Sequence, residues 1–429
     1  MKKRAEILIV VLLIAFASAY AAFFLIKGSH ILAYAVSFIS ASILFILLRV
    51  LLSGNGYGEQ VTKIIIAASA AFAVAMTFAH PVGSDDYYRY IWDGKVMANG
   101  MNPYGYAPSD VALSALRTAT LPSRINFPDM KTVYPPAGEI FFYLAYKIGG
   151  DSLVGLKTLL LISHLATIIG LLLIIGKLKT TWSNVFLFTL CPLPLYEILV
   201  DGHIDGFGTA LLIFSIYFFM DGKKNASYFF LALSICVKPL ALIVIPIFFL
   251  EERGFAQKVK TILIPVLVCI GIYLPFVFSG SPFQALTTFA ENWTFNGIVF
   301  DILDRFIRDN QRTRLICGIL FLIPYAAIVF SRKDLMTKIY LSIFTLLIFS
   351  PVVHPWYLMW LAVLIPIVPR WSGILFVSLV SLTSITVVNY QLTGVWKEYI
   401  PVLILEYIPV VGVFLYEWFK SKRNVPLPL

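Results

Sequence analysis

The stretch SDDYYRYIWDG, from Ser84 to Gly94, puts two adjacent carboxylates, a third seven places on, an arginine and four aromatic rings into eleven residues. Such a set can do chemistry at a sugar. A carboxylate takes the proton of an attacking hydroxyl, a cation holds a phosphate, and aromatic faces stack on the sugar ring. The same residues can equally serve folding alone. On a helix begun by Ser84 as a hydroxyl N-cap, the acids fall in the first turn, where the macrodipole favours them. Asp86, Arg89, Tyr90 and Asp93 then share one face, and Asp85, Tyr88 and Trp92 another. Arg89 would pair with acids three or four places away, at about 0.2–0.5 kcal/mol per pair.

The elements that position this segment are set by composition. The chain has 429 residues, 59% of them hydrophobic and 13% charged, with a mean hydropathy of +0.87. That is far from soluble globular usage and typical of a polytopic membrane protein. Apolar runs of about 20 residues, long enough to cross a bilayer core of roughly 30 Å, predict a single all-α transmembrane domain over 1–429. About twelve full crossings are expected, near 7–26, 31–51, 63–79, 152–176, 184–200, 203–220, 259–278, 314–330, 335–351, 355–368, 371–390 and 400–419. Two stretches fit less well: 134–149 is short, and 225–250 is broken by Lys238-Pro239. Treating both as partial or re-entrant segments gathers the N-terminal Lys2-Lys3-Arg4, Lys177, Lys179, Lys223, Lys224, Lys258, Lys260, Arg332, Lys333, Arg370 and the tail Lys420, Lys422 and Arg423 on one side. Short basic loops mark that side as the cytoplasm. The alternative, two full spans, strands Lys177, Lys179, Lys223 and Lys224 outside.

This topological excess accounts for the net charge of +10 without nucleic acid. Cys191, Cys236, Cys269 and Cys317 all lie in apolar segments without CxxC spacing, so neither a disulfide framework nor a zinc site is indicated. The basic, apolar N-terminus with Ala17-Ser18-Ala19 resembles a signal peptide, but its apolar run continues through Ile26 and is expected to remain as a first span.

With this topology the polar residues collect on the external face. The longest external loop, 80–133, opens with the acidic-aromatic segment and continues through NGMNPYGYAPSD. A second, 279–312, holds ENWTFNG and then VFDILDRFIRDN, where Val299, Ile302, Leu303 and Phe306 make an amphipathic helix suited to the headgroup region. The helices of 313–429 follow. Two tight external turns add DGHIDG at 201–206 and VVHPWY at 352–357.

In this order the motifs resemble the GT-C superfamily of integral-membrane glycosyltransferases that use polyprenyl-phosphate sugars. The likeness is closest to prokaryotic mannosyltransferase-like members and to the endoplasmic-reticulum mannosyltransferase that acts first on glycosylphosphatidylinositol. Asp85-Asp86-Tyr87-Tyr88 is similar to that superfamily's acidic loop motif, Gly100-Met101-Asn102-Pro103-Tyr104 to its following turn, and Tyr134-Pro135-Pro136 to the loop's close. GHIDGFGTALL, VKPLALIVIPIFF and HPWYLMWLAVLIP resemble its later motifs, so the likeness covers roughly 63–370. Three spans precede the acidic loop here, two more than in many members.

The resemblance implies a GT-C-like helical bundle and inverting transfer from a polyprenyl-phosphate sugar, mannose first, to an external glycan, lipid or protein. It makes Asp86 the general base, by its Asp-x-Tyr spacing to Tyr88, with Asp85 the alternative. It implies a substrate-contacting set of Tyr88, Arg89, Trp92, Asp93, Asn102, Tyr104, Tyr134, His203, Asp205, Lys238, His354 and Tyr357. Lys238 stands out independently, because a cation in mid-membrane costs about 3 kcal/mol and signals function by default. It would meet a lipid phosphate or satisfy carbonyls freed by Pro239. His203 and Asp205 also fit a polar turn, His354 an interfacial one. No cofactor is required, although Asp85, Asp86 and Asp93 offer oxygen ligands to a divalent cation. The expected location is a prokaryotic plasma membrane, or the endoplasmic reticulum in a eukaryote, with the site extracytoplasmic. Twelve spans and Lys238 also fit a secondary transporter or flippase of a glycan or lipid-linked substrate, and a noncatalytic subunit of a polysaccharide assembly is a third reading.

Overall fold

The computed structural model describes residues 2–25, 30–52, 58–278 and 280–422. Ile26, Lys27, Ser279 and Arg423 therefore lie outside the described residues. Among those described the fold is all-helical, without strands, and its one isolated bridge joins Phe295 to Val352.

Three long helices, α1 (Lys2–Leu25), α2 (His30–Leu52) and α3 (Glu59–Phe78), lead to the acidic segment, which forms α4 (Asp86–Ala98). Then come α5 (Pro136–Gly149), the long α6 (Leu153–Leu178), and α7 (Phe186–Thr189) with a π-helical piece, Pro194–Val200. α8 (Asp205–Met220), α9 (Lys224–Ile235) and α10 (Val244–Glu251) precede α11 (Phe255–Tyr273). Two short helices, α12 (Gln284–Asn292) and α13 (Ile298–Ile307), precede α14 (Asn310–Val329) and α15 (Leu335–Phe349). The chain ends with α16 (Met359–Ala362), α17 (Trp371–Leu379), α18 (Ser384–Thr393) and α19 (Ile400–Lys422).

Among the described residues eight helices are long and apolar enough to cross a membrane, or nine if the pieces Trp182–Thr189 and Pro194–Val200, bent by 58°, count as one. The expected twelve thus corrects downward by this measure, because 203–220, 335–351 and 355–368 give short or irregular helix. The last is the clearest case: only Pro355–Leu358 and α16 are helical there, as a 3-10 turn and a single α turn. The stretch from Leu358 to Ile365 is almost completely buried. Irregular backbone at membrane depth is tolerated where protein covers it. Pro192 and Pro194 account for the 58° bend, since neither can donate to the helical ladder.

Broken and partial helices bring polar residues inward. Pro239 forces the preceding Lys238 into extended backbone, φ −152° and ψ 124°, and so ends the helix. The chain then turns back through Pro239–Ile243 and α10, so that Lys224 and Glu252, at the two ends of this excursion, form an ion pair of 2.8 Å. The segment enters and leaves at one face, where Lys177 and Lys223 pair with Asp221 and Lys338 pairs with Glu251.

Helices α4 and α5 run side by side in the same direction. Tyr134, just before α5, meets Asp86 at their starts, Tyr90 stacks on Phe142 at 4.4 Å, and Lys95 pairs with Asp151 at their ends at 2.9 Å. Glycine permits the close approach: a Cβ on Gly94 would lie 2.3 Å from the Phe142 carbonyl oxygen. In α13, Ile302 and Phe306 are exposed, as an interfacial face requires, while Phe300 packs inward.

The Lys224–Glu252 pair makes a topological prediction. Cysteines introduced at Lys224 and Glu252 react with a membrane-impermeant maleimide from the same side of sealed vesicles, and labelling from opposite sides would refute the hairpin.

Candidate active site

The ends of α1 and α2, the loop after α3, the 201–205 turn, the break at Lys238 and the segments near 293, 354 and 390 enclose one cavity of about 1130 Å³. Asp85, Asp86, Tyr88, Arg89, Tyr134, Asp205, Lys238, His354 and Tyr357 all line it. Residues from one expected side of the membrane thus meet in space.

Ser84 is not the N-cap itself. The helix begins at Asp86 with Asp85 in the cap position, and the Ser84 hydroxyl accepts from the Asp86 amide at 3.2 Å. The Asp86 carboxylate accepts from the hydroxyls of Tyr134, at 3.3 Å, and Tyr90, at 3.5 Å. Asp85 accepts from the Asn126 side chain. Burial and the neighbouring Asp86 charge push the Asp85 carboxyl up to about 6, against smaller lowering by its hydrogen bonds and His203. Two adjacent acids therefore have different partners.

Arg89 does not pair with Asp85 or Asp86. Its Nε meets Asp93 at 2.7 Å and its Nη1 donates to the Met130 carbonyl at 2.9 Å. Asp93 and Trp92 are buried outside the cavity lining. The trio of acids considered for a divalent cation consequently does not assemble, and no group of three or more His, Cys, Asp or Glu side chains among the described residues is placed to hold a metal ion. Asn102 and Tyr104 also lie outside the lining. Asn102 donates to the Phe276 carbonyl and accepts from the Tyr104 amide, and the buried Tyr104 hydroxyl donates to the Tyr134 carbonyl at 2.6 Å. Both fasten the loop that carries the acids.

Lys238 meets a carboxylate instead of freed carbonyls. Its Nζ lies 2.7 Å from Asp205 Oδ1, which also accepts from Trp360 Nε1 at 2.8 Å, and it sits 3.6 Å from the centre of the Tyr357 ring. His203 is fully buried behind the lining, with Nδ1 2.8 Å from the Glu197 carbonyl oxygen and Nε2 without a hydrogen-bond partner. Burial lowers its ring's proton affinity, but Glu197, Asp86 and Asp201 more than offset this and raise it above the usual histidine value.

His203 also begins a row of rings. It stacks on Trp356 at 3.9 Å, Trp356 on His354 at 4.2 Å and His354 on Phe295 at 4.7 Å, and Trp396 and Tyr390 continue the row. Phe295 is held in place by its neighbour Asn296, whose left-handed backbone (φ 54°) is tied by Glu398 at the amide, Glu406 at the side chain and Tyr407 at the carbonyl. Sequence reading missed this row, although Trp356 stands between His354 and Tyr357. It also missed Arg124, whose exposed side chain lines the cavity, and Asp201, in the same turn as His203. Arg124 carries no local signal, as an arginine in a long polar loop.

A multi-pass helical protein with paired carboxylates, a lysine and stacked rings around a cavity on one face has the build of a membrane-embedded enzyme acting on a polar substrate. The family model for the alpha-(1->6)-mannopyranosyltransferase N-terminal domain matches residues 10–251, and that for the MptB C-terminal domain matches 287–416. The chain belongs to the alpha-(1->6)-mannopyranosyltransferase family and is a glycosyltransferase. No curated protein matches it.

The raised Asp85 carboxyl has a consequence for stability. Its folded value lies above that of an unfolded aspartate, so the ionised form destabilises the fold at neutral pH, and protonation relieves this as the pH falls from about 7 to about 4. The wild-type melting temperature is expected to rise relative to that of Asp85→Asn as the pH falls from about 7 to about 5, and parallel curves for the two proteins would contradict the shift.

Proposed function

We propose that the protein transfers mannose from a polyprenyl-phosphate donor to the 6-hydroxyl of a glycan acceptor, with Asp86 as general base. The observation that carries this reading is the Asp86 carboxylate, which lines the cavity together with Lys238 and Arg124 and is contacted there by two tyrosine hydroxyls. Asp86 takes the proton of the acceptor hydroxyl as its oxygen attacks the anomeric carbon. The bond from that carbon to the phosphate oxygen breaks in the same displacement. Single displacement inverts the centre, so an alpha product corresponds to a beta-linked donor.

The departing phosphate monoester carries one more negative charge than the bound diester. A cation is therefore more useful at this step than a proton donor. Lys238, held by Asp205, and Arg124 at the rim are the side chains to meet it. The rings of the row that line the cavity, Trp356, His354, Phe295, Trp396 and Tyr390, give a sugar an aromatic wall. A second, open cleft of about 710 Å³ between α12 and α14 is largely apolar, and Leu286 borders both it and the cavity. It supports a lipid-linked donor, whose hydrocarbon chain would lie there while its head reaches Asp86.

Lys177, Lys223 and Lys224, at the end of α8 away from Asp205, support an orientation with the site extracytoplasmic. The chemistry calls for no cofactor.

Loss of a general base lowers turnover by about 10²–10⁴-fold. Asp86→Asn is expected to fall in that range when transfer from radiolabelled polyprenyl-phosphate mannose is measured in membranes, with Asp85→Asn retaining more activity. Wild-type rates in Asp86→Asn would remove the assignment.

A further inference from the structure

Asp201 is 1% exposed and belongs to neither the acid pair nor the Lys238–Asp205 pair. Its Oδ1 accepts from the backbone amides of Val82 and Gly83, each at 2.9 Å, and its Oδ2 accepts from the Tyr34 hydroxyl at 2.6 Å. The two amides immediately precede Ser84, Asp85 and Asp86. One buried carboxylate therefore fastens the stem of the segment that carries the acids.

The clamp is itself held. The Asp201 amide donates to the Tyr196 carbonyl at 2.9 Å, five residues back, closing the π-helical turn. Lys157, on α6, donates to the carbonyls of Leu199 and Val200. Tyr34, on α2, packs edge-on against Phe23 and Tyr196. From the other side Gln391 donates to the Val82 carbonyl at 2.7 Å, so both polar groups of that peptide unit's residue are engaged. Gly83 leaves no room for a side chain: a Cβ would lie 2.5 Å from Asp201 Oδ2 and 2.7 Å from the Tyr34 ring.

We infer that Asp201 is a positioning residue for transfer, fixing Asp85 and Asp86 through the amides of Val82 and Gly83, with Tyr34 orienting its carboxylate. The N-terminal pair α1–α2, which precedes the acidic loop, thereby becomes part of the apparatus that sets the site's geometry. The inference rests on the reading of Asp86 as the base.

The test uses full-length purified protein, with polyprenyl-phosphate mannose as donor, and measures kcat, donor KM and melting temperature. A misplacement near 1 Å costs about 10²-fold in rate, so Asp201→Ala is expected to lose about that much kcat while donor KM changes less than about threefold. Asp201→Asn keeps an oxygen for the two amides and a group that can donate to the tyrosine, and is expected to restore most of kcat. Tyr34→Phe removes one hydroxyl outside the loop and is expected to lower kcat about fivefold without changing donor KM. Wild-type kcat in Asp201→Ala, or an Asp201→Asn as impaired as the alanine variant, would overturn the inference. If Asp201→Ala does not fold, an unchanged kcat in Tyr34→Phe overturns it instead. Asp86→Asn run alongside separates the two ideas. An active Asp86→Asn removes the base assignment, whereas an inactive one beside a fully active Asp201→Ala removes only the positioning role.

Discussion

A buried charge in a membrane protein must find a partner, and the Asp205–Lys238 pair shows how much architecture that requirement organises. Each charge alone would be costly at this depth. Together, at 2.7 Å and with Trp360 also donating to the carboxylate, they form a compact polar unit inside an apolar shell. Placing the lysine there requires the chain to break at Pro239, and placing the aspartate requires α8 to begin at the cavity floor. Lys238 keeps about a fifth of its side chain exposed, so the pair neutralises the lysine without sealing it away. A phosphate entering the cavity would meet a cation already oriented over the Tyr357 ring.

The same logic explains why the irregular backbone gathers where it does. The proline bend before Pro194–Val200, the π turn, the Lys238 break and the short 3-10 and α turns from Pro355 to Ala362 all border or underlie one cavity. Each frees backbone groups that lipid could not satisfy. Lys157 takes up the carbonyls of Leu199 and Val200 in the π turn, and Asp201, just after that turn, accepts in the same way from two amides of the loop after α3. Long uninterrupted helices such as α6 and α14 stand outside this zone and supply the frame.

This division also explains what could be read from the amino-acid sequence. The acid pair was legible because adjacent carboxylates among tyrosines are conspicuous in an apolar chain, and Lys238 because lysine followed by proline interrupts a hydrophobic run. The partner of Lys238 was not, since 33 residues separate it from Asp205. Asn102 and Tyr104 fall outside the lining, and the polar and aromatic types that bind substrate are the same types that tie down a turn. Arg89 was ambiguous for a related reason: Asp85, Asp86 and Asp93 all lie within four residues of it, and only packing selects Asp93. The twelve-span expectation overcounted long helices because hydropathy sees apolar composition and not the breaks that buried packing permits.

The two neighbouring acids show how packing divides one sequence feature into two environments. Asp85 sits at the cap of α4 with an amide side chain against it, and carries the cost of a like charge next door. Asp86 begins the helix proper, and the donors that reach its carboxylate are tyrosine hydroxyls. Neutral hydroxyls hold a carboxylate less tightly than a cation would. By directing Arg89 to Asp93, two turns further along α4, the fold leaves the acid that lines the cavity without a cationic partner among the described residues.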